Sequence, residues 1–222
     1  MNVLGIDTST MTGGVALLKD DELVGESVLN IRTTHSERLL PALERLLADG
    51  GLAVGDLDLL SVVTGPGSFT GLRIGVATAK GLSYALGISA VGVTTLEAYG
   101  SQFEFFPGVV IALVDARRGN VFWQAFLRGV AVHEPSYGSL QDVLTWCSLE
   151  LQEPYLFVGD GSIDRVELLP MTAPASQSLL RPSAVAHLGY RRYLAGEHSD
   201  AFTLNPTYMR QTEAERKWQE QV

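Results

Sequence analysis

The chain has 222 residues, 46% hydrophobic and 18% charged, which suits one large packed domain or two small ones and excludes a disordered polar chain. Its formal net charge of −9 argues against a chain that grips nucleic acid by itself, because phosphate contacts need clustered Lys and Arg, and the pairs Arg117-Arg118 and Arg191-Arg192 stand isolated. Cys147 is the single cysteine, which excludes an intrachain disulfide; the apolar runs are interrupted by glycine or polar residues; and the opening "MNVLGIDTST" has no basic stretch before its apolar run. Together these features set the expectation of a cytoplasmic protein.

In chain order, "NVLGIDTST" (2–10) predicts an apolar strand ending in an acidic, hydroxyl-rich turn, and 13–30 predicts two further strands joined by a hairpin at Asp20-Asp21. A helix is expected at 36–49, stopped by Gly50-Gly51. A continuous apolar strand at 57–65 has the character of one covered on both faces. A turn, "GPGSFTG", leads into a helix at 69–86, and 89–95 reads as another strand. The pattern then restarts: "GVVIALVDARRGNVFWQAFL" (108–127) repeats the plan of "NVLGIDTSTMTGGVALL" (2–18), a strand ending in Asp, a short polar turn with glycine, and a second strand. That echo, with strands and helices interleaved, predicts an α/β fold built from a duplicated βββαβα unit. The domain boundary is placed near residue 104, giving 1–104 and 105–205. Helices are expected at 183–195 and 212–221, with 206–222 packing back on the first domain.

Three stretches are candidates for chemistry. Asp7, Thr8 and Ser9 end a strand where open α/β sheets hold ligands, so they are candidate nucleotide or anion contacts, although a turn satisfying its own backbone is the simpler explanation. Gly159, Asp160 and Gly161 in "LFVGDGS" follow a strand in the same way. "GPGSFTGLRIG" (65–75) feeds a helix start capped by Ser68, an arrangement suited to an anion, yet it is neither a phosphate-loop nor a GxGxxG pattern. The remaining histidines (133, 187 and 198) show no metal spacing.

Two helices carry unusual surfaces. In "HSERLLPALERLL" (35–47), Thr34 and Glu37 fit a capping box, and His35 and Ser36 have no placed partner that would make them catalytic. The face of Leu39, Leu43, Leu46 and Leu47 is wider than a sheet contact alone requires, which points to a second protein. On 69–86, Gly71, Gly75 and Ala79 form one small-residue stripe and Ala77, Gly81 and Ala85 another, with Arg73 and Lys80 the only charges. Glycine in a helix costs about 1 kcal/mol relative to alanine, so close approach of another backbone is expected.

"GIDTST", "HSERLLP", "GPGSFTGLRIG", "ATAKGL", "GVTTLEA" and "VDARRGNVF", in this order, closely resemble the TsaB (YeaZ) family over most of residues 1–127; "VGDGS" and "NPTYMR" match more loosely. The resemblance implies an actin- and Hsp70-like ATPase fold of two duplicated domains. It implies a non-catalytic subunit needed by TsaD to transfer a threonylcarbamoyl group to the adenosine beside the anticodon of tRNAs reading codons that start with A. It further implies that TsaC supplies threonylcarbamoyl-adenylate, that TsaE is an ATPase partner, and that the chain also pairs with itself through its N-terminal helices. By the same resemblance, tRNA is expected to be met only through TsaD, and no cofactor is expected to be held firmly by this chain, ATP being a candidate ligand of the complex. TsaD-like proteins hold a metal with His-x-x-x-His; in "TTLEAYG" (94–100) Thr95 and Tyr99 stand at the similar place, so no metal site is expected. The implied contact surface is Leu39, Leu43, Leu46 and Leu47 with Gly71, Arg73, Gly75 and Ala79. Leu43→Arg or Gly75→Leu is then expected to weaken partner binding without unfolding the domain. The rival readings are an ATP-dependent small-molecule kinase of the same fold and a hydrolase using Ser36 or Ser68.

Overall fold

A computed structural model describes residues 1–30, 35–152 and 154–209. Strand β1 (Asn2–Asp7) is buried almost throughout, as its unbroken apolar run requires. It pairs antiparallel with β2 (Thr12–Lys19) and parallel with β4 (Leu59–Gly65). β3 (Glu22–Asn30) and β5 (Ser89–Thr94) complete a sheet of order β3-β2-β1-β4-β5. The β2–β3 hairpin turns at Asp20-Asp21, both left-handed (φ 49° and 72°), as anticipated. In the second half, β6 (Val109–Asp115) pairs with β7 (Asn120–Leu127), which also carries β8 (Val130–Ala131) and β9 (Ser136–Ser139), while β10 (Tyr155–Val158) lies parallel to β6. The echo seen in the sequence is therefore structural: β1–β2 and β6–β7 are the same unit used twice.

Helices α1 (His35–Asp49) and α2 (Phe69–Leu86) cover one face of the first sheet over a core that includes Leu4, Ile6, Leu17, Leu60 and Val62. α3 (Thr95–Gln102) and α6 (Pro182–Leu194) cover the other face. α3 also meets β6 and β7, so this layer joins the two sheets. α4 (Leu140–Glu150) closes the outer face of the second sheet over Ile111, Trp123 and Phe157. α3 and α4 were not anticipated, although each opens with a capping box legible in sequence, Thr94 with Glu97 and Ser139 with Asp142. The Thr34 half of the expected capping box, the side chains of His35 and Ser36, and the helix expected at 212–221 lie outside the described residues.

Two expectations are corrected. The first concerns α6, placed by sequence in the unit 105–205. It lies instead on β1, β2 and β4, where Ser61 Oγ donates to the Val185 carbonyl (2.6 Å) and Gly5 and Gly14 make room for Pro182. The physical reason is that the first sheet is apolar on both faces, and the eight-residue α3 is too short to cover the second one.

The second concerns the leucine face of α1. Leu39, Leu43, Leu46 and Leu47 are only 4%, 3%, 8% and 4% exposed and belong to the core against β2 and β3. Two long strands give α1 a broad floor, and a broad leucine face is what covers it; burying each leucine contributes roughly 1.5–3 kcal/mol. Gly71, Gly75 and Ala79 are likewise turned inward. A Cβ at Gly71 would overlap the Thr8 carbonyl, and one at Gly75 the Thr8 hydroxyl, while Ala79 is fully buried. The backbone that approaches α2 closely is thus the chain's own β1–β2 turn, and Leu43→Arg or Gly75→Leu acts first on the fold.

Candidate functional site

The two sheets frame a cleft of about 770 Å³, built from the corresponding ends of their strands. On the first side, the turn after β1 locks into the turn after β4. Thr8 Oγ1 donates to the Gly71 carbonyl (2.7 Å), Ser68 N–H donates to the Ser9 carbonyl (2.6 Å), and Gly67 has no room for a side chain because Ser9 is there. Asp7 accepts from Ser9 N–H (2.9 Å) and Ser9 Oγ (2.7 Å). Ser68 Oγ caps α2 by accepting from Gly71 N–H (3.2 Å), the cap expected from sequence. The Thr8 hydroxyl ties the two turns together, whereas those of Ser9 and Ser68 are engaged within their own turns.

On the second side, β6 ends at Asp115 and the four-residue α5 (Asp160–Ile163) follows β10. Asp160 Oδ1 accepts from Asp115 N–H (3.1 Å), and Arg165 pairs with Asp115 (3.0 Å). Burial pushes the Asp160 carboxyl up to about 6, and the nearby Asp115 and Asp7 carboxylates add to that rise against the opposing Asp115 N–H bond. The rim carries Arg73, Arg117 and Arg118; the last two adopt left-handed backbone (φ 64° and 56°) in the β6–β7 turn.

Of the six candidate anion contacts, Ser9 and Asp160 line the cleft. Asp7 and Thr8 pack behind its wall, fully or nearly buried, and Gly159 and Gly161 pack against Leu113, where a Cβ would clash with backbone. This corrects the expectation that all six face a ligand: tight turns at strand ends bury their first residues. Arg73, expected at a partner interface, is exposed at the cleft rim. The residues missed as site residues are Arg117 and Arg118; the signal was their place in the repeat, two and three positions after the Asp that ends the strand, where Ser9 and Thr10 stand after Asp7.

The chemistry available is that of a mixed binding cleft: apolar walls that include Met11, Leu72, Val114 and Phe122, guanidinium groups and hydroxyls at the rim, and one carboxyl raised to about 6. His133 lies between Trp123 (4.0 Å) and Trp146 (4.8 Å), His187 meets Asp21 (2.8 Å), and His198 meets Tyr193 (5.6 Å), all away from the cleft. Among the described residues no three His, Cys, Asp or Glu side chains group as metal ligands. Thr95 Oγ1 donates to the Pro66 carbonyl (2.6 Å). Tyr99 is fully buried, and burial, with the Asp160 and Asp7 carboxylates nearby, holds its phenol well above the usual range.

Residues 23–144 match the family described as TsaD, tRNA N6-adenosine threonylcarbamoyltransferase. The chain is 34% identical, over 98% of both lengths, to a Bacillus subtilis (strain 168) protein named tRNA threonylcarbamoyladenosine biosynthesis protein TsaB. The chain belongs to the TsaB family. The resemblance carried by its motifs is borne out. The solved structure of YeaZ from Pseudomonas aeruginosa superposes with a TM-score of 0.76 at 27% identity, covering 94% of this chain and 99% of that one. Component A of the (R)-2-hydroxyglutaryl-CoA dehydratase of Acidaminococcus fermentans superposes with a TM-score of 0.53 over 87% of this chain and 99% of that one. At 11% identity it speaks for the fold alone. The actin- and Hsp70-like ATPase fold with its duplicated unit stands. No described helix is long and apolar enough to cross a membrane.

Proposed function

We propose that this chain is the non-catalytic subunit that a TsaD-type transferase requires to move a threonylcarbamoyl group onto a tRNA adenosine. The observation that carries the reading is the likeness to the Bacillus TsaB protein over nearly the whole of both chains. The cleft supports it. Ser68 Oγ is used as the cap of α2, Ser9 Oγ donates to the buried Asp7 carboxylate, and no described histidine lines the cleft to complete a serine–histidine pair. The net charge of −9 agrees with tRNA being met through the partner. TsaE and a second copy of this chain are further partners in this reading, and ATP belongs to the assembled complex.

The surface proposed for the partner is the outward face of α2. With the Gly71 stripe turned inward, Ala77, Gly81, Tyr84 and Ala85 stay open; Tyr84 is 72% exposed, and a Cβ at Gly81 would meet nothing within 4 Å. A helical glycine with no neighbour in its own chain costs about 1 kcal/mol against alanine, which a closely approaching outside helix would explain. Leu40 of α1, 50% exposed, adds an apolar edge.

The test is threonylcarbamoyl transfer to tRNA in a mixture of TsaC, TsaD, TsaE, ATP, threonine and bicarbonate, with and without this chain. Product only in its presence supports the reading; equal product without it refutes it. The rival kinase has one observation in its favour, a cleft carboxyl at Asp160 that titrates near 6. ATP turnover by the pure chain, lost in Asp160→Asn, would favour that reading.

A further inference from the structure

Beyond α6 the chain returns along α2. Ser199 bridges Ala90 at the outer edge of β5, with N–H···O bonds of 2.9 and 2.7 Å, and Asp200 ties a turn by accepting from Phe202 N–H and Thr203 N–H (both 2.8 Å). From there the segment runs the length of the helix in the opposite direction. Phe202 packs edge-on against Tyr84 (6.0 Å), the Leu204 carbonyl accepts from Lys80 Nζ (3.0 Å), and Tyr208 stacks on Phe69 (4.3 Å, 9° between rings). Arg73 completes the set: its Nε donates to Tyr208 Oη (3.1 Å), and its guanidinium lies 5.5 and 5.9 Å from the Phe69 and Tyr208 rings. The geometry is self-consistent, since Phe69 to Tyr84 spans about 22 Å of helix and six extended residues reach about 20 Å.

Three features mark the end of this strap as a built contact that can also come away. Thr207 N–H donates to the Thr64 carbonyl (2.8 Å), and Gly65, at φ 133°, leaves its Cβ space to the Thr207 carbonyl. Leu204 is buried as an anchor, whereas 205, 207 and 208 are exposed and belong to no helix or strand. Thr207, Tyr208 and Met209 line the mouth of the cleft. Arg73 and Lys80, the only charges of α2, are both turned to the strap, and both lie on the side that carries Ala77, Gly81 and Tyr84.

We propose that residues 205–209 are a latch. In the free chain they lie on α2 and narrow the mouth of the cleft; a partner helix docking on α2 takes Arg73 and displaces Tyr208, so partner docking and cleft opening are one event. The inference rests on the proposed role of α2 as the face met by a TsaD-type transferase.

The experiment uses the full chain, as wild type, Tyr208→Ala and Tyr208→Phe, read by hydrogen–deuterium exchange at Thr207 and by affinity for the transferase subunit. Losing the stack and the Arg73 contacts should speed Thr207 exchange in Tyr208→Ala by about tenfold, with Tyr208→Phe in between. Freed of a competing segment, Tyr208→Ala should bind the transferase up to about tenfold more tightly. Thr207 in the wild type should lose protection on binding. Wild-type binding with unchanged or weaker affinity in Tyr208→Ala overturns the latch alone, as does Thr207 protection that survives in the complex. Absence of any wild-type binding overturns the activating role, and the latch with it.

Discussion

The two halves of the molecule begin alike and finish differently. In the first, the turn after β1 is buried and bonded into α2, the turn after β4 opens an 18-residue helix, and a fifth strand follows. In the second, the turn after β6 is exposed and carries Arg117 and Arg118, the turn after β10 opens a helix of four residues, and the place of the fifth strand is held by one parallel bridge, Phe157 to Thr172. The first copy has put its turns into packing and gained a long helix whose outer face meets only the 202–208 strap. The second copy has kept its polar groups in the cleft. The same strand plan thus serves as both platform and cleft wall in one half and as cleft wall alone in the other.

The sharpest way to break this contrast is on α2. Gly71→Val should destabilise by about 4 kcal/mol or more in chemical denaturation, because the new side chain overlaps the Thr8 backbone, whereas Gly81→Ala on the open face should stabilise by up to about 1 kcal/mol. Equal effects would mean that α2 is not packed as described. Leu43→Ala should cost about 2–5 kcal/mol in the isolated chain, as a core position does; a cost below about 0.5 kcal/mol would return the leucine face to the surface.

The second half is tested by pH. Burial raises the folded Asp160 carboxyl to about 6, so between about pH 4 and 6 the folded chain holds a proton that the unfolded chain has lost. Stability from this group is present at low pH and is lost as pH rises through 6, on the order of 3 kcal/mol, and Asp160→Asn should flatten that slope in denaturation curves. The smallest effect is expected at the junction. The Tyr99 hydroxyl is buried beside the backbone of Asp160 and Leu180 without a well-formed hydrogen bond among the described residues, so Tyr99→Phe should change stability by less than about 1 kcal/mol; a loss well above that would mean that those contacts, or a bridging water, hold the hydroxyl firmly.

Much of the fold was legible because local signals and global use agree: the Asp20-Asp21 hairpin, the Ser68 cap and the strand repeat each have one physical outcome. The direction of amphipathic faces was not legible. The leucines of α1 and the Gly71 stripe say that something packs closely against them, and periodicity cannot say whether that neighbour is the same chain or another. The candidate site suffered from the same limit. Residues at a strand's end were expected to face a ligand, and the tight turn instead bent Asp7 and Gly159 behind the wall and brought the following residues forward. The strap left no signal in periodicity, since an extended segment that borrows its contacts from a distant helix has no repeat of its own.

The position of α6 also governs the order in which the molecule can be made. The first sheet is assembled from residues 2–94, but one of its faces waits for a helix that begins at Pro182, whose carbonyl sits against Gly5 and whose Val185 carbonyl accepts the Ser61 hydroxyl. A growing chain therefore carries Val3, Val63 and Val91 partly uncovered until nearly nine-tenths of it has left the ribosome, and closure joins residues more than a hundred positions apart. Cutting the chain at the sequence boundary near 104 would not release a stable platform but a sheet with one apolar side open to water.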